Sequence, residues 1–547
     1  MKYFTILLLI SLFVIFSCTQ QKNNVDLIVY NAKIYTVDSA FTVAESFAVK
    51  NGKFIAVGNN DEILSKYSAK EKIDLQGKTV YPGFYDAHCH FYSYGLSLQN
   101  VDLRGTKSFD EVVRKVKNFA DKHPENEWII GRAWDQNDWD VKEFPENSKL
   151  NELFPDKPVV LRRVDGHALI ANDIALKKAG ITANTKISGG KIIVKDGKST
   201  GVLIDNAMEL MFKVIPKENE QVVRNALLDA QKKCFAVGLT AVDDAGLDKS
   251  TILLIDEMQK SGKLKMRIYA MLNPTKENAD YFISKGIYKT DFLNVRSIKL
   301  YADGALGSRG ACLLHPYHDD PGNYGFLVSA INFLDSLCHL AYENNYQINT
   351  HAIGDSANRV MLHLYGKYLK GKNNRRWRIE HAQVIAPEDF KLFAQYSIVP
   401  SVQPTHATSD MYWAEDRLGS KRIKYAYAYK DLLKQNGWIA AGSDFPVEEI
   451  NPLFGFYAAV VRKDQKNWPE NGFEPENAIS RKEALKAMTI WAAKSNFEEN
   501  EKGSIEPGKF ADFVVTEKDI MKAPDNELFK IKVQQTFING EKVYSSK

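Results

Sequence analysis

The residues of this 547-residue chain best suited to chemistry begin with His88 and His90, in the string His88-Cys89-His90. The string closes an apolar run, Val80-Tyr81-Pro82-Gly83-Phe84-Tyr85-Asp86-Ala87, that reads as a strand. Side chains alternate faces along an extended segment, so residues two apart point the same way. Two imidazoles facing one point at a strand end offer two nitrogen ligands to one metal. Taken alone, the pair is as compatible with two unrelated histidines. Cys89 points to the opposite face and reads as packing.

The elements that position these residues repeat along the middle of the chain. Strands near residues 83–88, 237–243, 266–272, 295–302, 346–350, 377–381, 397–402 and 437–443 alternate with helical stretches. Eight such units predict an α/β fold built on a closed (β/α)8, TIM-like barrel. Functional residues of that fold sit at the C-terminal ends of strands. Here the first strand ends in His88 and His90, the fourth carries Lys299, the fifth ends in His351, the sixth in His381 and the eighth in Asp444. A lone histidine on such a strand is usually structural, but five positions of one barrel mouth are harder to assign to chance.

The chemistry of each position follows from its residue type. His88 and His90 suit a borderline metal such as zinc. His351 and His381 complete that site or hold a second ion. Lys299, aimed into a barrel, must account for its charge, and a salt bridge to Asp303 or Asp444 would do so. Asp444 can bind metal and hold a proton, or serve as a turn residue before Pro446. Other residues are candidates for the pocket wall. His167, after Asp165-Gly166, could hydrogen-bond a substrate or be structural. Arg309 could pair a substrate carboxylate or carbonyl, or a surface acid. Trp134, with Trp139 and Tyr324, offers apolar walls but equally a core. Gln383 and His406 are weaker pocket candidates, and Glu380, next to His381, is expected to face away from it. Val242-Asp243-Asp244 receives no catalytic role.

The flanks of the barrel differ in texture. Short strands with Asn51-Gly52 and Asn539-Gly540 turn signals predict a small β-sandwich domain made from both ends, residues 26–82 plus 504–547, around a barrel of residues 83–503. The interval between the first two barrel strands is too long for one helix, so residues from about 91 to 236 form an inserted α+β subdomain. At the N-terminus, Met1-Lys2 followed by the apolar Phe4 to Phe16 suits a secretory signal, being short for a bilayer span. Ile15-Phe16-Ser17-Cys18 resembles a bacterial lipoprotein cleavage box, which implies a signal peptide over 1–17, a lipidated Cys18 and a linker over 18–25. The expected location is exported, lipid-anchored to a bacterial membrane, on the periplasmic or cell-surface side.

The constellation resembles the amidohydrolase superfamily, and more closely its amidohydrolase-3 (YtcJ-like) group. The resemblance spans nearly the whole mature chain. It rests on Tyr81-Pro-Gly-Phe-Tyr-Asp-Ala-His-Cys-His90, Asp165-Gly166-His167, Asp303-Gly304-Ala305-Leu306-Gly307-Ser308-Arg309, His351-Ala-Ile-Gly-Asp355, Arg378-Ile-Glu-His-Ala-Gln383 and Gly442-Ser443-Asp444-Phe445-Pro446-Val447, with Gly131-Arg132-Ala133-Trp134-Asp135 in the insertion. The resemblance implies a carboxylated Lys299 bridging two divalent ions, zinc before others. It implies hydrolysis of a non-peptide C–N bond in a small amide, formamide or cyclic amide by a metal-activated hydroxide, with Asp444 carrying the proton to the leaving nitrogen. Alternatives are a deaminase or esterase-like activity on the same centre, or a catalytically silent binding lipoprotein.

Bulk composition narrows the remaining classes. With 44% hydrophobic and 26% charged residues the chain is ordinary for a globular protein. A net charge of +4, with the signs mixed along the chain, argues against a nucleic-acid partner. Cys89, Cys234, Cys312 and Cys338 show no pair motif, so an exported protein of this kind would rely on its core rather than on disulfides.

Overall fold

The structure, a computed structural model, describes residues 22–546. The proposed signal segment and Cys18 lie outside the described residues. The eight strands expected from sequence form the centre of the molecule: β1 (Phe84–Cys89), β2 (Leu239–Leu247), β3 (Arg267–Leu272), β4 (Leu293–Tyr301), β5 (Gln347–Ala352), β6 (Arg378–His381), β7 (Val399–Val402) and β8 (Ala440–Ala441). All neighbours from β1 to β8 pair in parallel, in chain order. Helices such as Glu220–Ala236, Lys249–Lys260 and Asp355–Leu369 cover the outside. The strands are therefore buried on both faces and read as near-continuous apolar runs. Asn219 shows why the first of those helices starts where it does: its side chain accepts a hydrogen bond from the Val222 amide, satisfying a donor the helix cannot.

The eighth strand is much shorter than its sequence suggests, and the reason lies at the site. After Ala441 the backbone is held by a side chain. The Asp86 carboxylate accepts from Ser443 N at 3.0 Å and from Ser443 Oγ at 2.6 Å. Asp444 N then donates to His88 O at 2.7 Å, and His90 N to Phe445 O at 2.8 Å, which brings β1 and the β8 end together. This close approach needs Gly442, where a Cβ would stand 2.4 Å from His88 N.

Strands from the two ends of the chain share a six-stranded sheet, in the order Glu541–Ser545, Val533–Ile538, Phe513–Thr516, Thr79–Pro82, Lys33–Tyr35, Val43–Ala44. A four-stranded sheet from residues 23–74 packs on it through Phe47, 5.0 Å from Phe513 between ring centroids. Asn51-Gly52 turns the hairpin with both residues at positive φ, 51° and 75°, as a type I′ turn requires. Between β1 and β2 the chain forms a second six-stranded sheet, which includes Ile129–Trp134, Val159–Arg163 and Ala168–Ala171, with its own core around Trp134, Trp139, Leu150 and Leu161.

Candidate metal centre

At the C-terminal ends of the barrel strands, one ligand atom each from His88, His381 and Asp444 lies within 4.8 Å of the others, and all three residues are buried. His90 Nε2 is 3.2 Å from Asp444 Oδ1, and Lys299 Nζ is 3.4 Å from His88 Nε2. The His351 ring centroid lies 4.6 Å from that of His381 and 4.8 Å from that of His167. His90, Lys299, His351, His381, Asp444 and His167 thus line one cavity of about 690 Å³; His88 itself is fully buried, with its Nε2 turned to Lys299.

Hydrogen bonds behind the rings decide where the lone pairs point. His88 Nδ1 donates to Glu380 Oε2 at 2.6 Å. A carboxylate only accepts, so the ring proton sits on Nδ1 and the Nε2 lone pair faces Lys299 and Asp444. His381 Nδ1 donates to Gln403 Oε1 at 2.7 Å, the Gln403 amide being oriented by its own Nε2 donating to Ser401 O. That leaves His381 Nε2 free. His351 Nε2 donates to Gly304 O at 3.3 Å, which leaves its Nδ1. Asp444 Oδ1 is buried and accepts no hydrogen bond. Bare imidazole nitrogens converging with an unsatisfied carboxylate oxygen are a donor set that fits a borderline divalent ion.

Charge in the site follows burial first. Burial, then the Lys299 cation, brings His88 down to about 4 in spite of Glu380. Burial likewise holds His351 and His381 well below the usual imidazole range. Lys299, 1% exposed, is pushed down to about 8, burial outweighing Glu380 and Asp444. Neither Asp303 nor Asp444 takes it as a salt bridge: Asp303 is occupied by the amides of Cys312, Ile353 and Gly354. Burial works against the Asp444 carboxylate, but the hydrogen bond from His406 to Oδ2 and the neighbouring His90 and His88 rings hold it well below the ordinary value. His406 bridges Asp444 Oδ2, at 3.3 Å, and Glu448 Oε1, at 3.1 Å. Those two partners override its burial and keep it protonated.

Backbone geometry aims two of these residues. His381 and Asp444 have φ of 73° and 63°, a region non-glycine residues rarely enter and which is common at functional sites. By strand alternation Arg378 and Glu380 face the barrel interior and His381 should not; the positive φ turns it in. The expectation that Glu380 points away from the site is therefore corrected. Glu380 is fully buried beneath His88 and is fixed by Arg378, whose Nε donates to it at 2.6 Å; Arg378 Nη1 also donates to Asp243 at 2.6 Å. Asp243, given no role from sequence, anchors this support.

Four expected wall residues are elsewhere. Trp134 is completely buried in the core of the insertion, its Nε1 donating to Leu161 O at 2.7 Å. Alternation would have left it on the cavity side with Arg132, but a bulge at Ala133, φ 77°, turns it away. Trp139 shares that core, and Tyr324 lies half exposed outside the cavity. Arg309 makes a two-pronged contact with Asp319, Nη2 to Oδ2 at 2.8 Å, and does not reach the cavity. His167 does line it and is fixed by Asp205, Nδ1 to Oδ1 at 2.6 Å. Gln383 also lines it, donating to Tyr427 Oη at 2.9 Å. Gln403, Asp205, Tyr301 and Glu448 were not singled out from sequence. Tyr301 alone carried a signal, standing two residues after Lys299 on the same strand.

Relatives share the whole architecture. The sequence model of the amidohydrolase family matches residues 71–544. A putative amidohydrolase, YtcJ, of Bacillus subtilis (strain 168) is 33% identical over 520 residues, covering 93% of this chain and 98% of that protein. An N-substituted formamide deformylase of Arthrobacter pascens is 26% identical over 544 residues, covering 94% and 97%. Among solved structures, an uncharacterized metal-dependent hydrolase from Pyrococcus horikoshii matches with a TM-score of 0.75 at 28% identity, over 92% of this chain and 99% of that one. With the parallel barrel and the His/His/Asp cluster at its mouth, these matches show that the chain belongs to the amidohydrolase family of metal-dependent hydrolases.

Proposed function

We propose that the protein hydrolyses a non-peptide C–N bond in a small amide, formamide or cyclic amide, using divalent metal held by His88, His90, His351, His381, Asp444 and Lys299. The observation that carries this reading is the convergence of the bare His88 Nε2 on the unsatisfied Asp444 Oδ1, beside a buried lysine with no carboxylate partner. The relative that is an N-substituted formamide deformylase supports the bond class. When bound, the metal supplies Lewis acidity to a carbonyl and makes water nucleophilic near neutral pH. Zinc suits the imidazole-rich set, and six candidate ligands favour two ions over one.

The chain's own groups supply the rest. Asp444, ionised at neutral pH, accepts the proton of the attacking water and delivers it to the leaving nitrogen. His406, protonated against Asp444 Oδ2, fixes the carboxylate and leaves Oδ1 directed at His88 and His90. Lys299 is desolvated enough to be neutral part of the time, the form that condenses with CO2 to a carbamate. His167, presented by Asp205 at the cavity wall, is placed to hydrogen-bond a substrate oxygen.

A screen of N-formyl, N-acyl and cyclic amides with metal-reconstituted protein tests this reading. We expect turnover of at least one class, lost by a factor of about 100 or more in Asp444→Asn while circular dichroism and melting temperature are retained. Unchanged turnover in that variant rules out its proton transfer. We also propose a lipid anchor at Cys18, which would hold this activity at a membrane surface. Mass analysis of the N-terminal peptide from a bacterial membrane fraction checks it, and an unmodified Cys18 overturns it.

A further inference from the structure

The insertion presents two arginines to the cavity that the chain leaves without an anion. Arg132 and Arg162 stand in register on the paired parallel strands Ile129–Trp134 and Val159–Arg163, so their side chains share one face, and both line the cavity that contains the metal centre. The neighbouring Arg163 shows how this subdomain treats a structural arginine. It is 1% exposed, donates to Gln136 Oε1 at 2.8 Å and to Asp165 Oδ2 at 2.5 Å, and also pairs with Asp135.

Arg132 has nothing comparable. Among the described residues its guanidinium makes no hydrogen bond and no ion pair, and its Nε is buried without a partner. Burial, and next the Arg162 cation, bring it down to about 9, so it is still charged at neutral pH. Arg162 donates only to a carbonyl, Gly166 O, at 3.0 and 2.8 Å, and stacks over Phe212. Of the acids near them, Asp165 is engaged with Arg163, Asp205 with His167, and Asp444 with His90 and His406; Glu209, exposed at the cavity wall, adds a longer-range attraction to Arg162 without forming an ion pair with it. A desolvated cation without a counter-ion is costly, and a carboxylate gripped by two guanidinium forks offsets that cost with geometric specificity.

We propose that the substrate is an anionic amide. A carboxylate at its non-reacting end is bound by Arg132 and Arg162 while the C–N bond to be cleaved lies against His88, His381 and Asp444. The proposal rests on the hydrolase reading for the second half of that statement only. It gives the insertion a role in specificity: its sheet supplies the anion clamp, and the barrel supplies the reaction.

The test uses full-length protein depleted of metal, so that binding is read without turnover. The probes are N-formyl-γ-aminobutyrate and N-formyl-ε-aminocaproate, each against its neutral carboxamide, by titration calorimetry. We expect at least one acid to bind about 10- to 100-fold tighter than its carboxamide, as hydrogen bonds to a charged group warrant. Arg132→Met should erase most of that preference, Arg162→Met part of it, and Arg132→Lys should restore part. In metal-loaded protein the same variants should raise KM for the acid with kcat nearly unchanged. Equal affinity for acid and carboxamide in the unmodified protein, binding of neither, or an unchanged preference in a folded Arg132→Met overturns the proposal. Acid-selective binding with no hydrolysis of any amide would contradict the hydrolase reading and leave the clamp standing.

Discussion

At the scale of single residues, proton placement decides what the site can do. Glu380 fixes the His88 proton on Nδ1, Gln403 does the same for His381, and Gly304 O takes the opposite nitrogen of His351. The ligand types could be read from sequence, because a histidine or aspartate at a strand end advertises itself. Their partners could not: Glu380 is 292 residues from His88, and no spacing rule links them. A pH dependence follows. His88 sits at about 4 in the folded protein, below the ordinary 6.5. Between those values the unfolded chain binds a proton that the folded chain refuses, so stability falls as pH falls through the window. The expected loss is about 3 kcal/mol from pH 6.5 to 4, read by urea unfolding of metal-depleted protein against His88→Asn. Carboxyls such as Asp86, raised to about 7 by burial, titrate in both proteins and drop out of the difference. Parallel curves for the two would contradict a buried neutral His88.

At the scale of elements, the barrel was legible because each strand is a short apolar run bounded by turn residues and followed by a helix. Seven strands fall where that pattern puts them to within a few residues. The eighth lies within its expected bounds but is cut to Ala440–Ala441, since its ladder is replaced by the Asp86 carboxylate holding Ser443, a contact across 357 residues that no local pattern carries. The bulge at Ala133 likewise has no local signature: Trp134 reads from sequence as an apolar wall or equally as core, and one residue at positive φ puts it in the core. Gly442 is where the element scale can be tested. A methyl group there meets His88 N at 2.4 Å, and backbone cannot yield as a side chain does. Gly442→Ala should destabilise by about 1–3 kcal/mol or more and loosen metal retention together, measured by urea unfolding and metal content. A variant as stable as the parent would show that the β1–β8 contact is not tight.

At the scale of the whole molecule, three parts meet at defined joints. The insertion reaches the barrel mouth through His167, Arg132 and Arg162. The sheet from the two chain ends is joined to the barrel by Arg267, which starts β3 and grips Asp512 with Nε to Oδ2 at 2.5 Å and Nη2 to Oδ1 at 2.8 Å, both residues buried. Removing one partner strands a buried charge, so Asp512→Ala should cost about 3–5 kcal/mol. Thermal unfolding checks it, and a shift within error would mean the joint is idle. The central claim remains that this mouth is a lysine-supported metal centre. It is tested most directly by the metal content of purified, zinc-reconstituted protein and of Lys299→Ala, measured by mass spectrometry with turnover on the same samples. The account predicts about two ions per chain in the parent, and about one or fewer, with turnover lost, in the variant. One ion in both proteins, with equal turnover, would contradict it.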